Sequence, residues 1–167
     1  ANGELTIVYE GGGLVVEALL VDHEPVSPAV GYRFSYGGRA LLISGDTSKS
    51  DNISRFAEGI DLLVHEALSP ELIGMMEKTM KDLGNDTLAK IMFDIPDYHT
   101  SPREAAETAR DASVGHLLYY HVVPPIIVPG QETLWLNGAG DIFPDYTVGY
   151  DGVSFSLPAN SSEIIQT

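Results

Sequence analysis

The first third of the chain carries its apolar residues in short runs broken by glycine, a pattern of β-structure rather than of amphipathic helices. Residues 5–9 form one such run, Gly11-Gly12-Gly13 turns the chain, and residues 14–21 form a longer one. Residues 32–36 alternate, Gly37-Gly38 follows, and residues 39–44 return as an apolar run. Two runs joined by Gly-Gly predict a hairpin. Its second strand ends in Gly45-Asp46-Thr47, which puts a carboxylate at the strand's C-terminal tip.

From there the period changes back and forth. Asn52 is expected to cap a short helix through Ala57 that stops near Gly59. Residues 60–65 read as a short apolar strand ending in the polar pair His65-Glu66. Ser69-Pro70-Glu71 supplies a cap, a first-turn proline and a first-turn acid for a helix carrying Leu72, Ile73, Met75, Met76 and Met80. Those methionines are expected in the core, with a substrate-facing Met75 or Met76 as the alternative. Gly84 and the cap-like Asn85-Asp86 divide this helix from a second one over 87–93. Thr100-Ser101-Pro102-Arg103-Glu104 opens another, bearing Ala105, Ala106, Ala109 and Ala112, and the strand 117–120 ends at His121. Past Pro124-Pro125 the chain turns Pro- and Gly-rich. It is expected to close with a hairpin, 147–150 and 153–157 around Asp151-Gly152, and a polar tail over 158–167 is expected to fray. Strands and helices that alternate in this way predict a mixed α/β fold, a layered sheet with flanking helices, in a single domain over 1–167.

Composition narrows the chemistry. The chain of 167 residues is 44% hydrophobic and 20% charged, which fits a folded domain and rules out general disorder. Acidic residues number 24 against 9 Lys and Arg, a net charge of −15, so a nucleic-acid backbone would be repelled before contact. There is no cysteine, so a bound metal has to be held by His, Asp and Glu. The longest apolar runs are far too short to span a membrane. Exported (periplasmic) and cytoplasmic settings are equally compatible with these features.

Five histidines occur, at 23, 65, 99, 116 and 121. Taken singly, each reads as a strand-end residue hydrogen-bonded to backbone, and Asp46 as a turn aspartate bonded to its own backbone. His116, beside Gly115 at a helix-to-strand turn, stays with that reading. The order of elements changes the picture for the others. Val21-Asp22-His23 is followed by Gly31-Tyr32-Arg33, Ser44-Gly45-Asp46-Thr47, Leu63-Val64-His65-Glu66-Ala67, Tyr98-His99-Thr100-Ser101 with Glu104-Ala105-Ala106, and finally Tyr120-His121.

This succession resembles the C-terminal half of the metallo-β-lactamase-fold hydrolases, in the ribonuclease Z-like and arylsulfatase-like branch, from about Val21 to about Pro125. The resemblance implies half of an αββα sandwich. It also implies that Asp46 bridges two metal ions, that His121 is a ligand of the second metal, and that His99 stabilises or protonates the reacting oxygen with Glu66 orienting it. His23 and His65 are implied as substrate-contacting or supporting groups. Two zinc ions are the expected cofactor, with manganese or iron also suited to imidazole and carboxylate donors. The string His-x-His-x-Asp-His that supplies most of that family's ligands does not occur here. A missing N-terminal half or a homodimer partner is therefore expected, and the start at Ala1 favours a piece of a longer hydrolase. The expected activity is metal-dependent hydrolysis of a small phosphodiester, sulfate ester or lactone. The alternatives are a ribonuclease Z-like tRNA 3′-processing endonuclease and a non-catalytic module without a complete metal site.

Overall fold

The computed structural model describes residues 3–167. Its centre is a seven-stranded sheet in which strand order follows chain order. β1 (Thr6–Gly11), β2 (Leu14–His23), β3 (Val26–Tyr36) and β4 (Arg39–Ile43) pair antiparallel, the last two through the expected Gly37-Gly38 turn. β4, β5 (Leu62–Leu68), β6 (His116–Val123) and β7 (Tyr146–Val148) then pair parallel. Parallel pairing needs crossovers, and helices supply them. α1 (Asp51–Phe56) links β4 to β5; α2 (Pro70–Asp82), α3 (Asp86–Asp94), a 3-10 turn (Ile95–Tyr98) and α4 (Pro102–Asp111) link β5 to β6. α5 (Gln131–Leu136) and α6 (Ala139–Ile142) link β6 to β7.

The core lies on one face of the sheet. Leu19, Leu42, Leu63, Leu117 and Tyr119 point into it from alternate strand positions and meet Ile53 and Ala57 of the α1 region. α4 brings Ala105, Ala106 and Ala109, small enough for its axis to approach the sheet closely. Its start is locked by a capping box in which Ser101 and Glu104 exchange backbone bonds. Trp135 of α5 is fully buried, lies edge-on to Tyr119 at 5.2 Å, and donates its indole N–H to the Val123 carbonyl at 3.0 Å. Burying each large side chain of this set contributes roughly 1.5–3 kcal/mol. The opposite face, with Phe34, Leu41, Ile43, Val64 and Leu118, is only half-buried.

Several expectations are corrected. Asn52 is inside α1, not its cap; Ser50 holds that place, and the Asn52 amide donates to the Leu20 carbonyl at 2.8 Å. His65-Glu66 does not end its strand, since β5 runs on to Leu68. Met75 and Met76 are surface residues, and only Ile73 of α2 is buried. The closing hairpin does not form. β7 joins the main sheet beside β6, while β8 (Phe155–Ser156) pairs with β9 (Ile165–Gln166). The tail is therefore docked rather than frayed. The buried Arg39 guanidinium donates to the carbonyls of Ser161 at 2.6 Å, Glu163 at 2.9 Å and Pro158 at 3.3 Å, and lies 2.8 Å from Asp61. Among the described residues no helix is long and apolar enough to cross a membrane.

Candidate active site

Parallel strands share one C-terminal edge, and in α/β sheets that edge is where ligands gather. Gly45 sets the geometry after β4. Its φ is +67°, and a Cβ there would lie 2.4 Å from the Val30 carbonyl oxygen, so only glycine lets the chain turn against β3 and present Asp46. His121 arrives by a different device. Glu66 pairs with Tyr120 and Ala67 with Val122, which leaves His121 as the extra residue of a bulge. Its φ of +45° is left-handed, uncommon for a non-glycine residue, and the bulge re-aims its ring away from the strand's alternation. His121 Nδ1 comes within 3.3 Å of Asp46 Oδ1, and both side chains are 43% exposed. On the other side of Asp46, His23 Nε2 lies 3.9 Å from Oδ2.

Below this open pair is a closed one. Glu66 is fully buried, and its Oε1 accepts from His99 Nδ1 at 3.0 Å and from the backbone N–H groups of Thr47 and Thr100 at 3.1 Å each. An oxygen taking two backbone N–H groups has no proton to give, so His99 carries its hydrogen on Nδ1 and leaves Nε2 free. Thr100 Oγ1 donates to the Thr47 carbonyl at 2.7 Å, and the Glu66 N–H donates to Ser44 Oγ at 3.0 Å. The segments 44–47, 65–67 and 98–101 are thus tied through one carboxylate. Burial opposes charging of His99, but the Glu66 hydrogen bond and the charges of Glu66 and Asp46 outweigh it and raise its pKa above the ordinary imidazole value.

His23 stacks on Tyr98 with ring centroids 5.1 Å apart and meets His99 edge-on at 5.1 Å, while His99 and His121 lie 5.6 Å apart. The structure therefore brings Asp46, His121, His99, Glu66 and His23 together. His65 does not join them. It is fully buried, its Nδ1–H donates to the Glu66 carbonyl at 2.7 Å, and burial lowers its pKa. His116 lies outside this group, and its ring bonds the Thr147 side chain, Oγ1, at 3.0 Å rather than the expected backbone. Sequence reasoning missed Tyr98, Ser44 and the backbone roles of Thr47 and Thr100, although each adjoins a residue it singled out. A cavity of about 700 Å³ opens beside His121, walled by Tyr120, Pro125, Glu132 and Tyr150.

The chain has relatives in sequence and in fold. Ribonuclease Z of Mycobacterium bovis is 35% identical to this chain over 127 residues, 76% of the chain and 41% of the relative. The metallo-β-lactamase fold protein YhfI from Bacillus subtilis superposes with a TM-score of 0.57 at 19% identity, covering 87% of this chain and 49% of that one. This chain is a ribonuclease Z-like protein of the metallo-β-lactamase fold. Zinc-bound PqqB from Methylobacterium extorquens shares that fold at a TM-score of 0.55 and 17% identity, covering 94% of this chain and 51% of that one. No protein-family profile matches the chain. It spans about half the length of the curated relatives it matches.

The donors that this ribonuclease Z-like chain sets at the strand edge fit a metal ion. Glu66, His99 and His121 each offer one ligand atom within 4.8 Å of the others. Glu66 Oε1 and His99 Nδ1 are already committed to each other, so Asp46, His121, His99 Nε2 and the second oxygen of Glu66 remain as donors. That second oxygen and His23 Nδ1 are buried with no hydrogen-bond partner, a cost a structure rarely leaves uncompensated. Oxygen and imidazole donors without thiolate suit zinc, manganese or iron.

Proposed function

We propose that this chain forms part of a metal-dependent hydrolase that acts on a small ester-type substrate, a phosphodiester, sulfate ester or lactone. The observation that carries the reading is an exposed carboxylate, Asp46, set against His121, with a buried acid–imidazole pair, Glu66–His99, directly beside it. Asp46 and His121 would hold zinc, and ligands from outside this chain would complete a pair of ions. Bound there, the metal supplies Lewis acidity and a nucleophilic water at neutral pH. The chain's own residues do the remaining work. His99 is oriented through Nδ1, so Nε2 is the atom that gives or takes the proton at the reacting oxygen. Thr47 and Thr100 hold Glu66 against rotation, and Tyr98 with His23 walls the imidazole in.

The test uses the zinc-loaded full-length protein. Asp46→Ala is expected to strip bound metal, measured by atomic emission after dialysis. His99→Ala is expected to keep the metal and lower turnover of bis(4-nitrophenyl) phosphate roughly 10²–10⁴-fold. Full metal content in Asp46→Ala would overturn the reading. A second reading, a tRNA 3′-processing endonuclease, is favoured by the likeness to ribonuclease Z. The net charge of −15 weighs against it, since nine basic residues cannot form a strong phosphate track. Endonucleolytic cleavage of a precursor tRNA by the same preparation, faster than cleavage of the aryl diester, would favour it.

A further inference from the structure

We infer that the groove between α2 and the loop after β6 is a subsite for an uncharged, apolar group of the substrate. The word substrate rests on the hydrolase reading; the binding itself does not. α2 leaves Met75 55% and Met76 36% exposed, and across from them Ile127 is 82% and Val128 55% exposed. Together with Met80 and Pro125 they bound a groove of about 470 Å³, within the range of small-molecule sites. A fifth of the chain is charged, yet none of the ten residues lining this groove is. An uncharged wall recognises an uncharged ligand, because a buried ion would find no partner there.

The loop's exposed apolar side chains are held in place by one residue. Gln131 Oε1 accepts from the N–H groups of Ile127 at 3.0 Å and Val128 at 3.3 Å, and its Nε2 donates to the Pro125 carbonyl at 3.0 Å. With its backbone satisfied from within, the loop presents Ile127 and Val128 outward as a fixed wall. The facing methionines are unbranched and polarizable, so they mould to different shapes. The groove adjoins the cavity beside His121. Pro125 lines both it and the cavity that contains His121. A molecule with its reacting bond at Asp46 and His121 can therefore lay an acyl chain or aromatic ring past Pro125 into the groove. The competing occupant is a second copy of the chain covering α2 and α3 together, since Leu88, Ile91 and Phe93 of α3 are exposed outside the groove.

The test is a methyl-NMR titration. The chain has four methionines, of which Met75, Met76 and Met80 line the groove while Met92 does not. The full-length protein is labelled at the methionine methyls, with these four assigned by substitution to leucine, and titrated with octanamide, an uncharged probe. Saturable shifts of Met75, Met76 and Met80 with Met92 unmoved are expected, alike with and without zinc. Octanoate and octylammonium are expected to bind more weakly. Ile127→Asp, at an exposed position that does not threaten folding, is expected to weaken octanamide binding about tenfold or more. No saturable shift, equal shifts of all four methyls, or groove methyls that shift with protein concentration before any probe is added would each overturn the inference. Asp46→Ala bears on the hydrolase reading alone, so the two can fail separately.

Discussion

One carboxylate oxygen, Glu66 Oε1, serves three donors from two other segments, and that concentration has measurable consequences. Alanine at 66 would leave two buried backbone N–H groups without a partner, at about 1–3 kcal/mol each. Glu66→Ala is therefore expected to lower the urea unfolding free energy by about 3 kcal/mol or more, and Glu66→Gln, which keeps one acceptor oxygen, by less. An unchanged midpoint in Glu66→Ala would refute this account of the network. The two buried imidazoles titrate in opposite senses. His65 has its pKa lowered, by burial first, with the Glu66 carbonyl and the charges of Glu66 and Glu104 offsetting only part. Below about pH 6.5 the unfolded chain takes up a proton that native His65 refuses, so stability falls on acidification. His99 has its pKa raised, so its contribution is fully present below about pH 6.5 and is lost as pH rises through its folded value. In metal-free protein, His99→Gln removes the compensating group. Its urea midpoint is expected to drop more steeply than wild type between pH 7 and pH 5, and parallel profiles would count against the assignment.

At the scale of elements, the C-terminal segment is held by chemistry that lies far from it in sequence. Arg39 opens β4, pairs with Asp61, and donates from Nη1 to the carbonyls of 158, 161 and 163. Asn160 N–H also reaches the Gly37 carbonyl at 2.8 Å, and Thr167 and Ser154 exchange backbone bonds at 3.0 Å. Arg39→Met keeps most of the volume and removes the donors. Amide hydrogen exchange at Asn160 and Thr167 is expected to accelerate about tenfold or more while exchange in β5 is unchanged. Unaltered protection at both sites would show that β8–β9 pairing alone holds the tail.

For the whole molecule, the decisive feature is asymmetry between the two faces of the sheet. One face is closed by α1, α4, α5 and α6, and the other is half-buried, with Phe155 and Leu157 bordering a cavity of about 490 Å³ against Leu14, Phe34, Leu41 and Ile43. An apolar sheet face left partly open suits a second layer. Asp46 and His121, the proposed metal ligands, are likewise too few for a dinuclear site, which needs most ligands in place before the ions can share a water. The 167-residue chain alone is expected to bind zinc weakly and to give no turnover of aryl phosphodiester, sulfate or lactone probes. Metal-dependent turnover by the isolated chain would sink that expectation.

Local signals decided what the sequence could decide by itself. Caps at Ser69, Asn85 and Ser101, glycine turns at 11–13 and 37–38, and alternating runs act within a few residues, so β1, β2, β4, the 32–36 half of β3, α2, α3 and α4 were legible without any tertiary contact, while 26–31 of β3 was not. The motif order also made Asp46, Glu66, His99 and His121 legible as a set. Tertiary structure alone decided the rest. The short helices α5 and α6, flanked by left-handed Gly130, Asn137 and Gly138, exist because Trp135, Leu136 and Ala139 find a core to enter. β7 joins the sheet because the edge of β6 is open to it, which a local hairpin pattern cannot reveal. Met75 and Met76 lie outside because the core is filled from the other helices, so their hydrophobicity says nothing of their place. The bulge that re-aims His121 arises from pairing between β5 and β6, strands separated by three helices in the chain; β6 runs on to Val123 rather than ending at His121 as expected, and only that long-range register turns the histidine toward Asp46.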